Sequence, residues 1–590
     1  MKRLIILAAT LIAGLSACDS LLDKEPLDRV TQFDYFKTRS DLELFSNPFY
    51  DNLLDKTPYD EQNDLLVQMT LSDVLYGGDK RTVPNTGGGW SWGNLRRINT
   101  LLEYVDQCED KKAVTEYTAL AKFFRAAFYF DKVKRFGDVP WYEVQLGSAD
   151  EALYKPRDSR ELIMTNMIKD IDEAINSGGL TEDISTYRVN KWAALALKAR
   201  FCLFEGTYRK YHGINLEGHD YTYYLEEAAK AAKTIIDEGP YKLYSTKNPD
   251  KDYMMLFAQE NASTEEYILA IRNSYEAQVY HNATAYTLLP TQGRPGYTRK
   301  FINMYLMKDG TPFTSQPGWE TMQLPEESKN RDGRFAQTVR TPGYKRIDDT
   351  ALSAPNLAAT MTGYQLVKYL QSAKYDSYNA STNDLPLLRA AEVMLNYAEA
   401  KAELGTLTQE DINLSVKRLR DRVGMSNLIL DDANKNPDPY LSDEKTGYPN
   451  VTGANKGVIL EIRRERTVEL LMENLRYWDI MRWKEGKRFE KPFTGLYFPG
   501  TGSYDLNNDG VDDVCIWSGS KPATSAPAVY ELNKEIFLSG GDSGYIIIHT
   551  DYARSWNEER DYLYPVPTDD RVLTQGAITQ NPGWNDGLNF

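Results

Sequence analysis

Apolar stripes at helical spacing, rich in alanine and closed by glycine, constrain this chain more than any other feature. Leu388, Ala391, Leu395, Ala398 and Ala402 form one stripe that stops at Gly405, and after a short turn Ile412, Val416, Leu419 and Val423 lead to Gly424. The pair predicts an antiparallel helix hairpin. Trp192, Leu195, Ala196, Ala199, Cys202 and Leu203 make another stripe ended by Gly206, and Leu225, Ala228, Ala229, Ala232, Ile235 and Ile236 one ended by Gly239-Pro240. Asp158 and Glu161 read as a capping box ahead of Met164, Ile168, Ile171 and Ile175, with a stop at Gly178-Gly179. Small side chains let helices approach closely, so stacked helix pairs of a tetratricopeptide-like kind are expected. No strict repeat period is present, and Gly206 to Tyr224 is long for a repeat turn.

The expected fold is therefore mainly α, with a helical frame over about 36–240 and 386–485. Residues 241–385 and 486–560, and also 426–456, are rich in turn formers and predict loop-rich segments with short strands, among them Tyr545 to His549. No alternation of helix and strand suggests a doubly wound sheet.

The N-terminus bears on compartment. Lys2 and Arg3 precede an apolar run from Leu4 to Leu15, too short to span a bilayer, which needs about 20 apolar residues. Residues 1–17 read as an export signal, and Leu15-Ser16-Ala17-Cys18 resembles a lipobox, so Cys18 is the expected lipid anchor; the plainer alternative is a cleaved signal with an incidental cysteine. Removing 17 of 590 residues leaves 573, expected to form a single domain over 18–590. Only Cys108, Cys202 and Cys515 then remain, too few for a disulfide framework. The formal charge of −16, with 69 basic against 85 acidic residues and no basic block, argues against a nucleic-acid partner.

Catalytic signatures are missing. The four histidines, His212, His219, His281 and His549, show no HExxH spacing, and Gly541-Asp542-Ser543-Gly544 reads as a tight turn rather than a serine nucleophile. No cofactor is required. One loop carries possible metal chemistry: Asp505, Asn507, Asp509, the Val511 carbonyl and Asp513 have the alternation of a calcium site, but the twelfth position is Ile516, and an Asn/Asp/Gly hairpin turn fits the same residues.

Five segments, in order, carry a family resemblance. They are Leu95-Arg96-Arg97-Ile98-Asn99; Phe124 to Phe130 running on to Arg135-Phe136-Gly137-Asp138-Val139-Pro140; Leu388 to Val393 with Asn396 to Ala400; Arg463-Arg464-Glu465-Arg466 to Arg476 through Trp483; and Asp561 to Pro567 with Gln580 to Trp584. The chain is identified by them as resembling the SusD/RagB family over nearly its whole mature length. Trp478 and Trp483 are expected to be core, and Arg463, Glu465 and Glu469 to pair across turns or with loop backbone. The resemblance implies a scaffold of tetratricopeptide-like helix pairs anchored on the outer membrane and facing the cell exterior. It also implies a SusC-like TonB-dependent transporter as partner and a captured ligand, mostly an oligosaccharide or polysaccharide, in a RagB-like minority a peptide. Neither class is an enzyme. A structural scaffold without a small ligand is the remaining reading.

The composition includes 40 Tyr, 20 Phe and 10 Trp, whose flat faces suit sugar C–H surfaces. Turn aromatics are the candidate glycan-binding residues: Trp319 and Tyr297, then Trp90 and Trp92 after Thr86-Gly87-Gly88-Gly89.

Overall fold

The computed structural model describes residues 35–147 and 149–590, so the export segment 1–17 and Cys18 lie outside the described residues. The helical frame opens with α1 (Arg39–Leu53), α2 (Gly93–Tyr104), α3 (Lys111–Phe136), α4 (Arg160–Asn176), α5 (Lys191–His212) and α6 (Tyr221–Glu238). Short polar side chains fix the starts by accepting orphan backbone amides: Asp110 takes those of Lys112 and Ala113, Asn190 that of Ala193, Asp220 those of Thr222 and Tyr223. At α4 the cap lies one residue beyond the expected one. Ser159 accepts from the Leu162 amide, whereas Asp158 accepts from the Trp141 amide at 2.7 Å and Glu161 turns to the Tyr224 hydroxyl.

Gly206 corrects a second expectation. Helix α5 runs through it to His212 and ends at Gly213, where φ is 66°. A Cβ at position 206 would lie 2.7 Å from Leu225 Cγ on α6, so glycine here permits close packing and does not stop the helix. The connection shortens to 213–220, and α5 and α6 pack along their lengths.

The described strands are short. Antiparallel pairs join β1 (Leu66–Val67) to β3 (Gly296–Tyr297), β2 (Tyr267–Ile271) to β4 (Leu385–Arg389), and β5 (Phe493–Phe498) to β9 (Gly544–Ile548). Strands β6 (Gly502–Tyr504), β7 (Val514–Trp517) and β8 (Ala528–Glu531) form a three-stranded sheet. The chain is mainly α, with a loop-rich part that carries these strands.

Strand β4 runs straight into α7 (Ala390–Glu403), which is buried on almost every side. Ala390, Val393, Tyr397 and Ala400 face the core built with α2–α6, while Ala391, Leu395, Ala398 and Ala402 face a second core built mainly from residues 250–560. A helix wedged between two packed layers has room mainly for small side chains, which explains the alanines. The next predicted helix is broken at Ser415, whose hydroxyl donates to the Asp411 carbonyl, giving α8 (Gln409–Leu414) and α9 (Val416–Arg422). Helices α10 (Lys456–Glu469), α11 (Arg476–Arg482) and, near the end, α12 (Thr568–Leu573) follow.

The arginine-rich motif is structural, but its partners are distant. Glu465 accepts from Arg334 and Arg420, and Glu469 from Arg389, Arg422 and Arg334, so these charges join elements across the second core instead of pairing along one helix. Trp483 is fully buried with Arg463 over its ring at 4.4 Å, whereas Trp478 is only half-buried. Cys108, Cys202 and Cys515 are buried free thiols. Among the described residues, no helix is long and apolar enough to cross a membrane.

Candidate functional site

Two concave surfaces flank the N-terminal part of the frame. The first is an aromatic groove of about 480 Å³ where the turn before α2 meets the 140–154 loop and α12. Trp90 packs edge-on against Phe136 at 4.8 Å and against Trp92 at 5.4 Å, and it is only 5 % exposed. It is the groove's floor. Trp92 stays half-buried and meets Tyr142 edge-on at 5.8 Å, while Tyr154, Val144 and Leu573 project at the rim. Arg96 on α2 and Asp570 on α12 also line the groove, and neither enters an ion pair among the described residues. Burial, with Asp569 nearby, raises the Asp570 carboxyl above its ordinary value. Flat apolar faces beside uncommitted polar groups are what a ring with one C–H face and several hydroxyls requires.

The other turn aromatics sit elsewhere. Tyr297 belongs to β3, is fully buried, and its hydroxyl donates to Met472 Sδ at 3.0 Å; its expected role as an exposed platform is corrected to a core role. The strand pairing with Leu66 carried it inward, which a Pro-Gly-Tyr turn signal does not show. Trp319 is half-buried between Phe313 and Tyr440, 6.3 and 5.8 Å away, and its carbonyl accepts from Arg299 at 2.7 Å.

The Asp505–Asp513 loop joins β6 to β7, and its oxygens are occupied by the turn. Asp505 accepts from the Gly510 amide at 2.7 Å, Asp509 from Val511 at 3.0 Å and Asp513 from Leu506 at 2.8 Å; the Asn507 side-chain amide donates to Asp509 at 2.9 Å. No three acidic, histidine or cysteine side chains converge on a metal-sized site among the described residues. The donor set does not fit a calcium site in this arrangement, and the hairpin alternative accounts for the residues. The four histidines are scattered: His212 bonds the Met481 carbonyl, His219 meets Glu161, His281 the Asn383 carbonyl and His549 the Gln68 carbonyl.

The second concavity is a polar cleft of about 950 Å³ between the end of α3, the 52–62 segment and α11. The last two turns of α3 put Asp131, Lys132, Lys134 and Arg135 on it, beside the half-buried Trp478 ring. Burial pushes Lys132 down to about 8, and its ammonium donates to the Gly89 carbonyl. Burial would raise Asp131, but Lys134, Arg135 and Lys132 outweigh it and hold the carboxyl at about 2. Burial raises Glu61 to about 8 and, with Asp55 adding, Asp60 to about 6.

Sequence reading missed Tyr142, Tyr154, Arg96, Asp570, Lys134 and Arg135. Tyr142 follows Val139-Pro140-Trp141 and carried the same loop-aromatic signal as Trp92; Asp570 and Leu573 reach the groove only through the return of the chain end, for which no local signal exists.

Comparison with known proteins places these features. The sequence profile of the SusD family matches residues 256–584, and a second profile, described as starch-binding associating with outer membrane, matches residues 35–195. The SusD-like protein P38 of Formosa agariphila is 24 % identical over 524 residues, covering 82 % of this chain and 91 % of the relative. The SusD-like protein P2 of the same organism is 23 % identical, covering 86 % and 95 %. Among solved structures, a SusD-like protein of Bacteroides fragilis superposes with a TM-score of 0.66 at 20 % identity, covering 95 % of this chain and all of that one. A SusD-like carbohydrate binding protein of the same species gives 0.65 at 20 % identity, covering 92 % and 99 %.

Proposed function

The chain belongs to the SusD family, and from that premise we propose that it is a binding protein that captures oligosaccharides or polysaccharides at the outer membrane, with no reaction of its own. The observation that carries this reading is the groove where Trp92, Tyr142 and Tyr154 present ring surface beside the unpaired Arg96 and Asp570. A sugar ring lies on the aromatic faces, and its hydroxyls bond the two charged side chains. Support also comes from the second matched profile, described as starch-binding associating with outer membrane, and from the carbohydrate binding named for one structural relative. The scattered histidines offer no nucleophile-base pair, in keeping with capture without catalysis. Cys18 carries the lipid that holds the protein on the outer face, and a SusC-like TonB-dependent transporter receives the ligand.

The test is binding of the soluble protein lacking residues 1–18 to arrays of polysaccharides and peptides. Trp92→Ala and the rim variant Tyr154→Ala should each weaken glycan binding about tenfold, about 1.4 kcal/mol, with Tyr154→Ala leaving the melting temperature unchanged. Retention of peptides alone would replace this reading with a RagB-like one, and silence on both arrays would leave a scaffold.

A further inference from the structure

The charges of the polar cleft do not balance. Within it and against it, Lys132, Lys134, Arg135 and Arg200 face two carboxylates, Asp131 and Glu392. Arg200 is matched, donating to both oxygens of Glu392 at 2.7 and 2.6 Å. Asp131 alone serves the other three: Arg135 reaches it at 3.1 Å, Lys134 only at 3.5 Å, and Lys132 turns to a carbonyl. Two positive charges are left in excess, half-sheltered from water, where an unpaired charge costs most.

The free hydrogen-bonding capacity points the same way. Lys134 lies over the Trp478 ring at 4.4 Å and Arg135 at 5.7 Å, so both cations are held on a rigid platform at the cleft surface. Glu61 Oε2 is buried with no hydrogen-bond partner among the described residues, while its Oε1 accepts from the Tyr477 amide at 2.7 Å. With its carboxyl raised to about 8, Glu61 holds its proton near neutral pH and offers a donor. The cleft thus presents net positive charge and a carboxylic acid hydrogen, a combination suited to a polyhydroxylated anion.

We propose that this cleft is a subsite for an acidic sugar unit, with Lys134 and Arg135 on its carboxylate or sulfate group and Glu61 on a neighbouring oxygen. The assignment rests on the glycan-capture reading and names a substrate class for it: glycans that carry uronate or sulfate groups.

Calorimetric titration of the soluble protein with uronate oligomers, sulfated oligomers and neutral oligomers of equal length tests it. Acidic oligomers should bind at least tenfold more tightly than neutral ones at low salt, and the advantage should vanish toward 1 M salt, where the screening length is about 3 Å. Lys134→Gln should lose about tenfold for acidic oligomers only, and Lys134→Arg should retain their binding. Preference for the uronate or for the sulfated series identifies the anion. If neutral oligomers bind and acidic ones bind no better, or if the preference is insensitive to salt, the cleft assignment fails while glycan capture stands. If no oligomer of any series binds, both fail. The salt series needs no variant, so a Lys134→Gln protein that failed to fold would not shelter the proposal.

Discussion

Arg389 grips Glu469 twice: its Nη1 donates to the carboxylate Oε1 at 2.8 Å and its Nη2 to the backbone carbonyl of the same residue at 2.7 Å. The residue that enters α7 is thereby fixed to the last residue of α10, deep in the second core. Replacing Arg389 with Met leaves Glu469, Glu473 and Glu266 short of a partner in a buried site, and should cost about 3–5 kcal/mol. Urea unfolding measures it, and a loss under about 1 kcal/mol would mean that Arg422, Arg334 and Lys368 suffice without it.

The same network sets the acid limit of the fold. Burial opposes ionisation of Glu469, yet Arg422, Arg389 and Arg334 hold its carboxyl well below the usual range, and Arg476 and Arg488 do so for Asp64. Folded values below the unfolded ones, about 3.9–4.3, give stability that is present above that window and lost as pH falls through it. Melting temperature should therefore drop steeply below about pH 4. Glu61 and Glu485, raised by burial to about 8 and about 7, are protonated in both states there and take no part. A flat melting profile from pH 5 to pH 2.5 would contradict this account.

Gly206→Ala separates two roles for one glycine. Ala is the better helix former by about 1 kcal/mol, so a mere interruption at this position would be improved by it. Because the new methyl would press on Leu225, a loss of about 1–3 kcal/mol is expected instead. Chemical denaturation gives the sign directly.

The Asp505–Asp513 hairpin should be indifferent to calcium. Its carboxylates already accept amides of the turn, so dialysis against a chelator should leave no bound calcium and an unchanged melting temperature. A drop of several degrees, reversed by calcium, would restore the metal reading.

The sequence made some of this legible and hid the rest for physical reasons. Periodicity with local caps located α4 to α7, because those signals act over a few residues. The role of Gly206 was misread because a glycine chosen for its lack of a side chain looks the same as one chosen for its φ angle. Trp90 and Trp92 stood out as turn aromatics, but the turn could not show that one becomes the floor and the other the face of the groove. Tyr297 carried an equal signal and was drawn into the core by pairing with a segment more than 200 residues away. Asp570 and Lys134 were invisible as site residues, since each matters only through neighbours that the chain brings from its opposite end.

That return of the chain end orders events in time. Asn581 donates to the carbonyl of Phe136 across 445 residues, Tyr564 to that of Arg135, and Thr568 to that of Pro84. A ribosome adding about 5–20 residues per second needs roughly 20–90 s to span that interval. Throughout that time the end of α3 lacks its last partners, and both the groove and the cleft lack a wall. Neither ligand surface can exist on a nascent chain; each is assembled only after the last turn of sequence has been released.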